Sequence, residues 1–141
     1  MNIDRRTILI SDPTLRDGNH AVSHQLSVDQ IKKYCKAADV AGVPIVEVGH
    51  GNGLGASSMQ VGLAKVDDKT ILKVARENLK HSKLGIHAIP GFATIERDLK
   101  PAIDSGVDVF RIASHCSEAD TTQKHIQFCS QEGKTVFGVL M

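Results

Sequence analysis

The sequence predicts an α/β fold built on a parallel sheet. Short apolar runs alternate with longer amphipathic stretches, which is the pattern of repeated strand and helix units around such a sheet. The runs are nearly continuous in Val, Ile and Leu, as expected of strands that are buried on both faces. Five strands are predicted, over residues 7–11, 44–49, 83–89, 107–113 and 135–140.

Four helices are predicted between these strands. The first begins after Ser27, because residues 27–30 (Ser-Val-Asp-Gln) have the spacing of a capping box, and it ends at Gly42. The others are expected from about 67 through 79, over 94–105 and over 119–131. Such a series admits two architectures, an open doubly wound sheet or the first half of an eightfold barrel, and periodicity does not choose between them.

Composition excludes several classes of protein. With 141 residues, 23% of them charged and a net charge of +1, the chain fits one globular domain and has no basic surface for nucleic acid. Its longest apolar runs, such as 135–141, are shorter than the roughly 20 residues that span a bilayer. Residues 1–6 lack the apolar core of a signal peptide, so a cytoplasmic protein without membrane partners is expected. The cysteines, Cys35, Cys116 and Cys129, have no CxxC spacing and are expected to be reduced thiols.

The segment that carries chemistry is residues 12–20, Asp-Pro-Thr-Leu-Arg-Asp-Gly-Asn-His, directly after the first predicted strand. Active sites of parallel α/β folds collect at the carboxyl ends of the strands. Arg16, Asp17 and His20 combine a planar cation, a hard oxygen ligand and a group that titrates near neutral pH. Such a set suits enolate chemistry, although on composition alone a solvated polar turn is an equally good interpretation.

Residues 14–18, Thr-Leu-Arg-Asp-Gly, resemble the signature of the barrel superfamily that includes HMG-CoA lyase, isopropylmalate synthase and the pyruvate aldolases. Residues 19–22, Asn-His-Ala-Val, resemble the aldolase branch, whereas Claisen-type synthases usually have Glu-Gln after the glycine. Similar agreement continues at 45–51, 52–58 and 113–120. On these motifs residues 1–141 resemble the N-terminal half of the 4-hydroxy-2-oxovalerate aldolases, which implies a partial (β/α)8 TIM barrel.

The resemblance implies a role for each of the three polar residues. Asp17 would be a ligand of a divalent metal, Mn²⁺ in the first place, with Mg²⁺ or Co²⁺ as alternatives. Arg16 would bind the substrate and hold the developing enolate, and His20 would be the catalytic base. The implied reaction cleaves 4-hydroxy-2-oxopentanoate, a small 2-oxo acid, to pyruvate and acetaldehyde in aromatic hydrocarbon catabolism. An acylating acetaldehyde dehydrogenase would be the protein partner.

The sequence also departs from the family pattern. The family completes its metal site with a later His-x-His pair and supplies a later tyrosine, whereas here no His-x-His occurs and the only tyrosine, Tyr34, lies in the first predicted helix. A barrel of this kind needs about 250 residues. We therefore expect an incomplete metal site, impaired activity, and self-association or rearrangement into a doubly wound sheet. The alternatives are a catalytically inactive half-barrel, and an acyl-CoA lyase or Claisen-type synthase.

Other metal-binding or nucleophilic side chains fall on or after the predicted strand ends: Glu47, His50, His87, His115 and Cys116. Glu47 and His87 are more simply interpreted as hydrogen-bonded groups within the sheet layer, and His50 and His115 as polar anchors of loops. A nucleophilic Cys116 beside His115 is disfavoured, because adjacent residues of an extended chain point apart. The glycine-rich residues 49–55 lack the spacing of a phosphate loop and are predicted to form positive-φ turns over the mouth of the site.

Overall fold

The computed structural model describes residues 8–141, which form a single five-stranded parallel sheet. Its strand order follows the chain from first to last, and each strand pairs in parallel with the next. The strands are β1 (Ser11–Leu15), β2 (Ile45–Val48), β3 (Lys83–Ala88), β4 (Val109–Ser114) and β5 (Thr135–Leu140). A doubly wound sheet reverses its strand order at a switch point, so the sequential order identifies a partial barrel.

The helices are α1 (Val28–Val40), α2 (Asp68–Asn78), α3 (Lys100–Asp104) and α4 (Gln123–Gln131). All four predicted helices are present, and the Ser27 capping box is formed in both directions. The third and fourth differ from the prediction at their beginnings, where a π-helical turn (Ile95–Leu99) precedes α3 and a 3₁₀ segment (Cys116–Thr122) precedes α4. None of the helices within residues 8–141 is long and apolar enough to cross a membrane.

The prediction for the first strand is wrong by about four residues. It was expected over 7–11, of which residue 7 lies outside the described part of the chain, whereas β1 covers Ser11–Leu15. Asp12 and Pro13 indicate a turn by composition, but β1 pairs with one neighbour only, and an edge strand tolerates proline. The register also shifts between Asp12 and Leu15. In the structure Arg16, not Asp12, is the first residue after the strand.

The two faces of the sheet differ in character. On the helix-covered face, alternate strand residues pack with all four helices into one core cluster. The strand side chains of this cluster are Leu15, Val46, Val48, Leu84, Ile86, Ala88, Phe110 and Ile112. The intervening residues lie on the opposite face, which we call the open face, and include Ile45, Glu47, His87, Val109 and Arg111. Helices on one face only are again the arrangement of a barrel wall.

Candidate active site

Arg16 lies at the carboxyl end of β1 with its guanidinium almost buried. Nε donates to Oε1 of Glu47 at 2.6 Å, and Nη1 donates to the Gly51 carbonyl at 3.1 Å and to Oδ1 of Asp17 at 2.9 Å. Two of these three acceptors belong to β2 and the loop after it. The guanidinium is therefore held by groups 31 and 35 residues away as well as by its neighbour.

Glu47 is the buried acceptor that joins two cations. Its side chain is 1% exposed and it faces Arg16 on one side and Arg111 on the other. Nη1 of Arg111 lies 2.9 Å from Oε2 and 3.3 Å from Oε1. The predicted hydrogen-bonded role of Glu47 within the sheet layer is thus what the structure shows, with ion pairing in addition.

Asp17 and His20 lie on the 3₁₀ turn that follows Arg16 (Asp17–Val22). The Asp17 side chain is 64% exposed, and His20 is also exposed. A Cβ built on Gly51 would lie 2.4 Å from the His20 ring, so the ring packs directly against this glycine. Because Arg16 donates to the carbonyl of the same glycine, Gly51 is the common neighbour of Arg16 and His20, and Asp17 is joined to them through Arg16.

Asn19 is a further residue of the site, for which no role was predicted. Its side chain is buried and Nδ2 donates to the Gly49 carbonyl at 3.0 Å. This bond ties the 3₁₀ turn to the end of β2. The separation of 30 residues explains why no local pattern indicated it.

His24 is a second residue that sequence reasoning missed. Its ring stacks on His50 with centroids 3.6 Å apart, and the edge of His20 approaches it at 5.1 Å. Nδ1 of His24 accepts from the Gly51 N–H, while His50 accepts from the Asn52 N–H and faces the Gly62 carbonyl through Nε2. Burial lowers the pKa of both His24 and His50, which favours neutral rings. His50 is therefore the loop anchor that was predicted. No spacing rule indicates His24, because the 3₁₀ turn ends at Val22 and His24 has a positive φ angle.

His87 lies on the open face near the Arg16 and Glu47 ion pair. Burial, followed by the positive charge of Arg16, lowers its pKa to about 4. Its Nδ1 atom is buried and has no hydrogen-bond partner among the described residues. A neutral imidazole thus lies beside the charged groups. The predicted hydrogen bond of His87 is not formed at Nδ1.

The remaining candidates lie apart from Arg16. His115 and Cys116 are exposed beyond the end of β4, and the His115 side chain makes no capping bond to the turn that it precedes. The Tyr34 hydroxyl, in α1, donates to Oδ2 of Asp12 at 2.6 Å. Neither the cysteine nor the tyrosine is joined to the guanidinium by a hydrogen bond in the described chain.

The glycine-rich loop after β2 behaves as predicted. Gly49, Gly53 and Gly55 all have positive φ angles, which only glycine adopts easily. At Gly53 an added Cβ would also lie 2.4 Å from the carbonyl oxygen of His87. The loop can therefore close down onto the end of β3 only with glycine at this position.

The described residues do not by themselves fit the implied metal. Within residues 8–141 no group of three or more His, Cys, Asp and Glu side chains is placed to hold an ion. Asp17 is the single donor that the family resemblance assigns, and one carboxylate is too few for a protein-bound divalent cation.

The profile of the HMGL-like family matches residues 7–133. A 4-hydroxy-2-oxovalerate aldolase from Spirochaeta aurantia is 64% identical over 140 residues, which cover 99% of this chain and 41% of that protein. One from Pectobacterium atrosepticum is 57% identical over 136 residues, covering 96% of this chain and 40% of that one. The chain thus spans about 40% of the length of the curated relatives it matches.

Solved structures agree on the fold. The N-terminal domain of a putative aldolase from Bacteroides vulgatus superposes with a TM-score of 0.76 at 23% identity, covering 94% of this chain and 44% of that one. The carboxyl transferase domain of Rhizobium etli pyruvate carboxylase gives 0.73 at 15% identity, covering 96% and 24% respectively. Identities this low establish a shared architecture alone.

Proposed function

The chain belongs to the HMGL-like family, and from that membership we propose that it carries the first half of the active site of a 4-hydroxy-2-oxopentanoate aldolase. The products would be pyruvate and acetaldehyde. The observation that supports this most directly is the Arg16 guanidinium, which is fixed by Glu47 and the Gly51 carbonyl beside Asp17 and His20.

Arg16 is proposed to hold the enolate oxygen that forms as the C3–C4 bond breaks. Its hydrogen bonds use Nε and Nη1, and Nη2 has no acceptor among the described residues. A guanidinium that is already oriented before the reaction stabilises the developing charge without reorganisation, which is often worth about 3 kcal/mol or more. The same group would bind the 2-oxo acid substrate.

His20 is proposed as the base that removes the proton from the 4-hydroxyl group during cleavage, and returns it in the condensation direction. The ring is exposed and rests on Gly51, whose carbonyl accepts from Nη1 of Arg16. Proton transfer by a positioned base contributes typically about 10²- to 10⁴-fold in rate.

Asp17 is proposed to supply one oxygen ligand to a divalent cation, Mn²⁺ in the first place, with Mg²⁺ or Co²⁺ as alternatives. Oxygen ligands of this type suit these ions. The relatives are more than twice as long as this chain, so the remaining ligands are proposed to come from the part of the family sequence that lies beyond the matched region.

Further proposals concern partners. Exposed apolar side chains lie at both edges of the sheet, including Leu9, Phe137 and Leu140, and favour self-association. An acylating acetaldehyde dehydrogenase is proposed as the partner that receives the aldehyde. A cytoplasmic location and a role in aromatic hydrocarbon catabolism complete the proposal.

The proposed reaction is tested by following pyruvate release from 4-hydroxy-2-oxopentanoate with lactate dehydrogenase, with and without added Mn²⁺. We expect release that His20→Ala reduces by about 10²-fold or more, while His81→Ala, at an exposed histidine beyond α2, leaves it unchanged. Equal rates for the wild type and His20→Ala would contradict the role of the base.

A catalytically inactive half-barrel that retains an anion site at Arg16 is the second candidate, because the described residues supply one metal ligand only. Pyruvate binding without turnover, lost in Arg16→Met, would favour this alternative. Turnover of an acyl-CoA substrate would instead favour a lyase or Claisen-type synthase of the same superfamily.

A further inference from the structure

Arg111 lies on β4, two strands away from the Glu47 carboxylate that it contacts. Its Nη1 atom approaches both oxygens of Glu47, at 2.9 and 3.3 Å. The other contact of that carboxylate is Nε of Arg16 at 2.6 Å. A continuous line of charges, positive, negative and positive, therefore crosses the open face from β1 to β4.

β3, the strand between β2 and β4, carries a glycine on the open face. Gly85 is the register partner of Glu47 on one side and of Val109 on the other, and an added Cβ would lie 2.9 Å from the Ile45 side chain. On this face β3 therefore has no side chain at the register position of Glu47, the residue that Arg111 contacts.

The geometry restricts the Glu47 carboxylate. Its side chain is 1% exposed, so water does not compete for its oxygens, and both oxygens are already used by guanidinium groups. With Arg111 on one side, the carboxylate presents Oε1 towards Arg16 in a single orientation. Without that cation, Oε2 would lose the one hydrogen-bond donor that the described residues give it, and Arg16 alone would hold the carboxylate.

We propose that Arg111 is a positioning residue, which holds Glu47 so that the Arg16 guanidinium stays fixed with its Nη2 edge free. This deepens the proposed function and rests on it for the use of that edge, namely binding the enolate. Arg111 itself is not proposed to contact the substrate. The conformation of Arg16 is thus decided by a residue 95 positions later in the chain.

The proposal is tested by ¹⁵N nuclear magnetic resonance of the arginine side chains, with the Arg16 Nε–H signal assigned through Arg16→Lys. In Arg111→Met we expect the hydrogen exchange of this N–H to accelerate by about tenfold or more, because its acceptor is no longer held in place. Arg111→Lys keeps the charge but not the planar fork, and should give an intermediate rate. This second variant also decides the matter if Arg111→Met does not fold.

Two controls separate positioning from loss of stability. The backbone N–H of Leu84, which is buried and donates to Oδ2 of Asp108 at 2.9 Å, serves as an internal reference. General destabilisation would accelerate exchange at Leu84 and Arg16 alike, which would overturn the proposal. The substitution Arg76→Met should leave the Arg16 rate as it is in the wild type.

An unchanged Arg16 exchange rate in both Arg111 variants would also overturn the proposal. Failure of the proposed function gives a different result, namely a wild type that neither releases pyruvate nor binds it. In an active protein, Arg111→Met should lower kcat by about tenfold with a smaller rise in KM, since Arg16 is proposed to bind the substrate and, more strongly, the enolate that forms from it. A rise in KM by that same factor, without a change in kcat, would contradict the positioning role of Arg111.

Discussion

The helix-covered face and the open face of the sheet are made by the same strands, yet different interactions dominate on each face. On β4, Phe110 and Ile112 lie within an apolar core, whereas Arg111 between them points to the opposite side and pairs with a buried carboxylate. Successive strand residues alternate between faces. One face can therefore supply most of the stability while the other carries charge at a cost in stability.

The largest loss of stability is expected when a large side chain is removed from the helix-covered face. Phe110 is fully buried, and Phe110→Ala is expected to lower the free energy of unfolding by about 3–5 kcal/mol. Urea unfolding followed by circular dichroism measures the change. The matched control is Phe137→Ala on β5, at a side chain that is 42% exposed, where the loss should stay below about 1 kcal/mol. Equal losses at both positions would remove the distinction between the faces.

On the open face, stability should depend on pH through His87. Its pKa is about 4 in the folded chain and ordinarily 6.5, so the unfolded chain binds more protons between these values. The free energy of unfolding should accordingly fall as the pH drops, by about 2 kcal/mol between pH 8 and pH 5. Urea titrations at the two pH values measure it.

His87→Leu should remove this component of the pH dependence. The lowered pKa values of His24 and His50 act in the same direction and remain in the variant, so the difference between the two proteins isolates His87. The control His81→Leu alters an exposed histidine. If His87→Leu kept the full pH dependence of the wild type, a buried neutral imidazole on the open face would be excluded.

The helical layer should respond to the loss of a single cap. The Ser27 hydroxyl oxygen accepts from the Gln30 N–H, and Oε1 of Gln30 accepts from the Ser27 N–H. Ser27→Ala is therefore expected to lower the free energy of unfolding by about 1 kcal/mol, as measured by urea unfolding. Ser57→Ala, at an exposed loop serine that accepts from the Ala64 N–H, tests whether a bonded serine outside a helix cap matters as much.

The smallest effect on stability, and a large one on the site, is expected at Gly51. A Cβ at this position collides with the His20 ring alone, and that ring can swing into solvent. Gly51→Ala should therefore lower the free energy of unfolding by less than about 1 kcal/mol. The ring contacts between His20 and residue 51 should disappear from nuclear Overhauser spectra. Gly138→Ala, where an added Cβ meets only an ordinary contact at 3.6 Å, is the control; a retained His20 contact in Gly51→Ala would mean that the ring does not rest on this glycine.

Much of this fold could be predicted from local pattern. The strands after the first are runs of apolar residues that match β2 to β5 within two residues at each end, because burial on two faces leaves a nearly uninterrupted signal. β1 was misplaced because Asp12 and Pro13 have the composition of a turn, while the pairing with β2 that makes them a strand is not local. The family resemblance then selected the barrel over the doubly wound sheet, which periodicity left open.

The motif residues of the candidate site could be predicted from the sequence, but the contacts that join them to distant segments could not. Arg16, Asp17 and His20 stand together in the sequence, so a motif identifies them, but their roles stay predictions. The stacking of His24 on His50 and the bond from Asn19 to Gly49 join segments about 30 residues apart, and no spacing rule indicates them. Glu47 could be recognised as a polar residue in a strand, without any sign of which cation it meets.

The sequence by itself determined the alternation of strands and helices, the beginning of α1 at its capping box, and the cluster of polar residues that follows the first strand. These features depend on neighbours within a few positions, where covalent geometry fixes which side chains share a face. Only the tertiary structure decided that Arg111 reaches Glu47 across β3, and hence how Arg16 is held. That contact spans 64 residues and depends on the parallel register of β2, β3 and β4, which the residues next to each charged group do not determine.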